Sequence, residues 1–171
     1  MKKQLILFLV VLGFQSCDAQ QDHELVTLYL VRHSEKELTT NQHSDPPLTQ
    51  CGVQRSEKLS RFLSDVPLDV IYSTDYTRTK NTALPTANAK GLEIRQYNPQ
   101  ELQEFSKELI KRQQNALIVG HSNTTGVLAG LLVGKEIGSF DLDIYNRVYQ
   151  VVMTKNSRRL QVLHTAFECI N

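Results

Sequence analysis

The chain carries no surplus of charge of either sign: 19 Lys and Arg stand against 18 Asp and Glu, a formal +1. A protein that tracks a nucleic acid needs a basic stripe to neutralise successive phosphates, and its absence excludes nucleic acid as a partner. Cysteine is scarce and scattered. Cys17, Cys51 and Cys169 lie in no CxxC pair and no Cys/His cluster, which leaves no pattern for a zinc centre. Internal repeats and low-complexity tracts are missing, and no apolar run reaches the about 20 residues that a spanning helix needs. What remains is 171 residues of ordinary globular composition, 40% hydrophobic and 22% charged, enough for one domain with a sizeable core.

The first residues are of another kind. Met1-Lys2-Lys3 is basic, Leu5 to Phe14 is apolar and Ser16-Cys17 follows, the build of an export signal. Cys17 after a small residue resembles the processing site of bacterial lipoproteins, in which the cysteine becomes the acylated amino terminus. Phe14 and Gln15 depart from the usual residues there, and a plain secretory signal is the alternative. The expected organisation is therefore a signal over 1–16, a polar tether over 17–24 and one domain over 25–171, held at the membrane through acylated Cys17, at the periplasmic or outer cell surface. Loss of Lys2 and Lys3 leaves 17 basic against 18 acidic residues, so any positive field must come from placement. Cys51 and Cys169 would then sit where disulfides persist, although sequence alone does not say whether they pair.

Strands and helices alternate along the domain. Val26 to Val31 reads as a buried strand; Val53, Leu59, Phe62 and Leu63 recur at helical spacing over 50–64 behind Thr49, a fitting N-cap. A second strand at 68–73, a helix at 75–89, a third strand at 91–96, a helix at 100–112, a strand at 115–119 and a glycine-bearing apolar helix to Val133 follow. Residues 147–153 and 160–164 form a closing pair of strands. The pattern predicts a three-layer α/β/α sandwich with a largely parallel central sheet.

Two strands end in histidine: His33 after Leu30-Val31-Arg32, and His121 after Ile118-Val119-Gly120. Right-handed crossovers place both strand ends on one rim, where Arg78 also emerges after the second strand. Two guanidiniums and two imidazoles around one crevice repel each other unless an anion sits among them, and phosphate matches forked guanidiniums best. Neighbouring cations disfavour a proton on the imidazole, which suits a nucleophile attacking phosphorus. Backbone N–H groups of the helix starting at Ser122 to Thr125 would add to the field. Such chemistry requires no metal and no cofactor.

Leu-Val-Arg32-His33-Ser34-Glu-Lys resembles the Arg-His-Gly hallmark of the histidine phosphatase superfamily, also called phosphoglycerate mutase-like, with Ser34 in the glycine position. Pro47-Leu48-Thr49-Gln50-Cys51-Gly52 is similar to that family's Leu-Thr-x-x-Gly motif, the stretch from Ser73 through Arg78 to Ala83 to its Ser-x-x-x-Arg-x-x-x-Thr-Ala segment, and Gly120-His121-Ser122 to its second histidine motif. The resemblance covers about residues 26 to 153. It implies a phosphohistidine intermediate on His33, phosphoryl binding by Arg32, Arg78 and His121, and completion by water. Only 42 residues lie between Arg78 and His121, which implies the small form of the fold with an open pocket. Ser34 and Asn123 are further candidates for touching phosphate.

Relatives acting on alcohol phosphates usually supply a carboxyl acid to protonate the leaving group, and here Ser122 follows His121. Glu101, after the Asn98-Pro99 turn, is the best-placed candidate donor. Without an acid, phosphohistidine or acyl phosphate would be favoured substrates, because their leaving groups need no proton. The expectation is a monomeric phosphatase acting on a phosphorylated small molecule or phosphoprotein; the alternative is a non-catalytic phosphate- or partner-binding domain on the same fold.

Overall fold

The computed structural model describes residues 25–39 and 44–169. The expected signal, Cys17 and the tether up to Glu24 lie outside the described residues, as do His23 and His43. Among the described residues no helix is long and apolar enough to cross a membrane.

Ten elements alternate as expected: β1 (Val26–Arg32), α1 (Gln50–Phe62), β2 (Val70–Ser73), α2 (Thr77–Lys90), β3 (Ile94–Gln96), α3 (Leu102–Arg112), β4 (Ala116–Gly120), α4 (Thr125–Val133), β5 (Arg147–Met153) and β6 (Arg158–His164). They build one six-stranded sheet in the order β3-β2-β4-β1-β5-β6. The first four positions pair in parallel; β5 joins β1 antiparallel and β6 joins β5 the same way. The sheet is thus mixed, with its parallel part carrying the strand ends of interest.

Strand periodicity of two decides which helix layer each side chain meets. From β1, Leu28 and Leu30 point into a cluster with Phe105, Leu109, Leu128 and Leu132 of α3 and α4. Tyr29 and Val31 point the other way, to Leu59, Ala83 and Ala87 of α1 and α2. Ile118 and Leu117 of β4 divide in the same manner. Both faces are covered, which explains why β1 and β4 read as near-continuous apolar runs.

Thr49 caps α1, its hydroxyl accepting from the Gly52 backbone N–H at 3.0 Å. The backbone N–H of Thr49 donates to the Glu35 carbonyl at 2.9 Å, and a β-carbon at position 52 would collide with that same carbonyl. The Leu-Thr-x-x-Gly pattern is therefore a docking device: it lets the first turn of α1 lie against the backbone just beyond His33. Cys51, in that turn, forms a disulfide with Cys169, 118 positions away, with Cα atoms 5.6 Å apart. Arg55 strengthens the junction. Its guanidinium donates to both Glu35 oxygens at 2.6 to 2.9 Å and to the Phe167 carbonyl at 3.1 Å.

Candidate active site

β1 and β4 are adjacent and parallel, with Arg32 beside Gly120 in register, so the residues that follow them emerge side by side. The His33 backbone N–H donates to the Gly120 carbonyl at 2.9 Å, which ties the two strand ends together. The imidazole rings of His33 and His121 stand edge to face with centroids 5.5 Å apart. A crevice of about 780 Å³ opens above them, lined by Arg32, His33, Arg78, His121, Tyr76 and Tyr145 among others. The four residues expected from sequence are brought together.

His33 is only 4% exposed. Its Nδ1 lies 2.7 Å from the Ser34 carbonyl, an acceptor, so Nδ1 carries the proton and Nε2 keeps its lone pair. Burial first, then the charges of Arg32, His121 and Arg78, lower its pKa to about 3 against the raising effect of that hydrogen bond. Burial, rather than the neighbouring cations expected from the sequence, is the larger cause of this neutrality. His33 is therefore an uncharged, oriented imidazole at neutral pH.

His121 is held by hydroxyls. The Thr79 hydroxyl donates to the Thr74 or Tyr76 carbonyl (3.0 and 2.8 Å), so it accepts from Thr74 Oγ1 at 3.0 Å. Thr74 Oγ1 is left as acceptor for His121 Nε2, also at 3.0 Å. Burial, then Arg78, Arg32 and Lys36, lower the His121 pKa to about 4.

Arg32 donates from Nη1 to the carbonyls of Leu142 (2.5 Å) and Ile144 (3.3 Å) and from Nη2 to the Tyr145 hydroxyl (3.4 Å). Arg78 reaches Asp45 at 3.4 Å. Burial opposes charge on Asp45, but hydrogen bonds from the Thr77 side chain and backbone and the Arg78 cation outweigh it and hold this carboxyl below its usual range.

The remaining expected residues divide. Asn123 is exposed and lines the crevice. Ser34 is buried and contributes through its backbone: its carbonyl fixes His33, and its N–H donates to Thr82 Oγ1 at 2.9 Å. Of the backbone N–H groups expected from Ser122 to Thr125, those of Thr124 and Thr125 donate to the His121 carbonyl at 3.1 and 3.0 Å and are not free for a ligand. Glu101 is exposed at the start of α3 and lines a separate depression with Tyr72, Gln96 and Glu108 rather than the crevice. Asparagine and proline at 98–99 turn the chain so that Pro99 and Gln100, not Glu101, face the crevice. No Asp or Glu is found among the described residues that line it.

Sequence reasoning missed Tyr76, Tyr145, Asp45 and the Thr74–Thr79 pair. Tyr76 lay two positions before Arg78 inside a motif already singled out, and its aromatic character was the available signal. Tyr145 belongs to a motif-free segment and has no comparable mark.

The sequence pattern of the histidine phosphatase superfamily (branch 1) matches residues 28–106. Phosphoserine phosphatase 1 from Hydrogenobacter thermophilus is 42% identical over 74 residues, which are 41% of this chain and 35% of that protein. The match thus spans about a third of that relative's length. Among solved structures, the fold is similar to alpha-ribazole phosphatase from Shigella flexneri (TM-score 0.69, 18% identity, 85% of this chain and 100% of the other). It is also similar to the protein histidine phosphatase SixA (TM-score 0.68, 14% identity, 81% and 97%) and to phosphoglycerate mutase from Bacillus anthracis (0.60, 17%, 83% and 94%). These identities speak for the fold alone. The family pattern is matched over residues 28–106, a little under half of the chain, and the fold is the one that these solved structures share.

Proposed function

We propose that the chain is a phosphatase that transfers a phosphoryl group to His33 Nε2 and then to water, acting on phosphoramidates or on phosphomonoesters whose leaving groups need no proton. The observation that carries this reading is the pair of imidazoles 5.5 Å apart between two guanidiniums. His33 attacks phosphorus as a neutral nucleophile, its imidazole N–P bond forming as the bond to the leaving group breaks. Arg32 and Arg78 offset the charge on the non-bridging oxygens, and His121, uncharged on its own, takes a proton at Nδ1 in the field of the phosphoryl dianion and donates to it. Water then cleaves the N–P bond, releasing phosphate and restoring the lone pair. The preference for good leaving groups rests on the lack of a carboxyl among the described crevice residues. With guanidiniums supplying the positive charge, turnover needs no metal ion in this reading, and a chelator leaves the rate unchanged.

Export and attachment through acylated Cys17 belong to the same proposal. They are supported by the basic and apolar opening of the sequence and by the Cys51–Cys169 disulfide, a bond that persists in oxidising compartments. Cys17→Ala should move the protein from the membrane to the soluble fraction.

The decisive experiment is rapid acid-free quenching of turnover with a radiolabelled activated aryl phosphate, beside an ordinary alkyl phosphate. Label on His33, hydrolysis of the aryl ester well above the alkyl ester, and loss of both in His33→Ala are expected. Phosphate binding with no turnover on any substrate would select the non-catalytic reading instead.

A further inference from the structure

Both crevice arginines lie over tyrosine rings. The Arg32 Cζ atom is 4.1 Å from the Tyr145 centroid, and the Arg78 Cζ atom is 4.2 Å from the Tyr76 centroid. The same two rings flank the histidines. Tyr145 is 6.3 Å from His33 and Tyr76 is 5.1 Å from His121, centroid to centroid. The crevice is thus built from two matched Arg-Tyr-His groups contributed by unrelated parts of the chain.

Removing a guanidinium from water costs free energy, and burial lowers the proton affinity of both Arg32 and Arg78. A carboxylate partner would offset that cost but would also cancel the charge and occupy the N–H groups that a phosphoryl oxygen needs. An aromatic face attracts the cation through its quadrupole and does neither. The surroundings fit this division of labour. Among the described residues Arg32 has no carboxylate partner, and its Nη donors rest on carbonyls and the Tyr145 hydroxyl. Arg78 meets one carboxylate, Asp45, at 3.4 Å, and that carboxylate is shared with the Thr77 backbone N–H and hydroxyl. The buried Nε groups of both arginines have no hydrogen-bond partner among the described residues.

We propose that Tyr145 and Tyr76 are positioning residues of the phosphoryl site, their ring faces holding Arg32 and Arg78 in place while leaving the cationic charge for the ligand. This inference rests on reading the crevice as a phosphoryl site. It separates the ring from the hydroxyl: the face does the holding, and the Tyr145 hydroxyl bond to Arg32, long at 3.4 Å, is secondary.

The test is calorimetric binding of inorganic phosphate to the full chain, with steady-state hydrolysis of an aryl phosphate alongside. Tyr145→Phe should bind phosphate within about twofold of wild type, whereas Tyr145→Leu should bind roughly tenfold more weakly. The rise should appear in KM more than in kcat. Should the leucine variant fail to fold, replacing Tyr145 with phenylalanines of increasing ring fluorination decides the matter. Shape is nearly preserved while the face loses its negative character, and phosphate affinity should fall stepwise. The same series at Tyr76 should behave alike. Affinity indifferent to fluorination, or Tyr145→Phe as damaging as Tyr145→Leu, would overturn the proposal while leaving the phosphoryl site intact. A wild-type chain that binds no phosphate would overturn both.

Discussion

The ends of β1 and β4 occupy neighbouring, parallel positions and each presents a histidine, yet the two imidazoles are held by different kinds of partner. His33 is fixed by a backbone carbonyl one residue away, at 2.7 Å. His121 is fixed through the hydroxyls of Thr74 and Thr79, which come from the turn after β2 and the first turn of α2. A backbone acceptor cannot be mutated away and cannot reverse its polarity, so the His33 tautomer is a property of the fold. A hydroxyl acceptor is mutable, and by holding the Nε2–H it leaves Nδ1 as the ring nitrogen of His121 that takes up a proton as charge on the phosphoryl group changes. The difference suits a nucleophile that must always present a lone pair and a partner that must respond to developing charge.

That contrast can be broken most severely at its first member. His33→Ala should lower turnover of an activated aryl phosphate by at least about 10⁴-fold, because it removes the Nε2 lone pair that attacks phosphorus. His121→Ala should cost less, on the order of 10² to 10³-fold in kcat, the scale of losing one transition-state hydrogen-bond donor. Its intermediate should still be trappable on His33. If the two variants are equally dead and neither accumulates label, the assigned roles are wrong.

Acid should expose the same asymmetry in stability. The unfolded chain binds protons at both histidines near the ordinary value of 6.5, while the folded chain resists until about 4 for His121 and about 3 for His33. Folded pKa values below unfolded ones mean that this contribution is complete above pH 6.5 and is lost as pH falls through that window. The thermal midpoint of wild type should therefore drop between pH 6.5 and 4 more steeply than that of the His33→Gln/His121→Gln double variant. Parallel slopes would refute the account.

Thr74→Val removes the acceptor for His121 Nε2 and should reduce kcat roughly tenfold, in keeping with one lost buried hydrogen bond. No change in kcat would show that the hydroxyl chain does not orient His121. Glu101→Gln should have the smallest effect, within about twofold in kcat on aryl and alkyl substrates alike, since its carboxyl faces another depression. A selective loss on alkyl phosphates would instead restore it as the proton donor.

Much of this arrangement was legible in the sequence because it follows from strand ends. Arg32, His33 and His121 each sit within a residue of the end of a strand that reads as an apolar run, and the parallel topology implied by alternating elements brings those ends to one rim. Glu101 was misplaced for a local reason: a turn at 98–99 rotates successive residues to different sides, and a shift of one position exchanges Gln100 for Glu101 at the crevice. Tyr145 was invisible for a non-local one. Its hydrogen bond to Arg32 joins residues 113 positions apart, through an irregular segment that periodicity does not describe. The disulfide is not legible in the sequence for the same reason, since two cysteines 118 positions apart are brought together only by the packing of the C-terminal segment on α1.

The Cys51–Cys169 bond also changes the connectivity of the molecule. It turns everything from the first turn of α1 to the C-terminal segment into a covalent ring, with β1 entering from outside through the loop that precedes α1. A protease that cuts once anywhere in that ring, for example at the exposed Leu142 beside the crevice, opens the ring without producing a second molecule. The pieces stay joined and β5 stays paired with β1, so a second cut within the ring is needed to release Arg78, His121 or Tyr145; β1 lies outside the ring, where a single cut at the exposed Leu38 would separate Arg32 and His33 from the rest of the covalent chain.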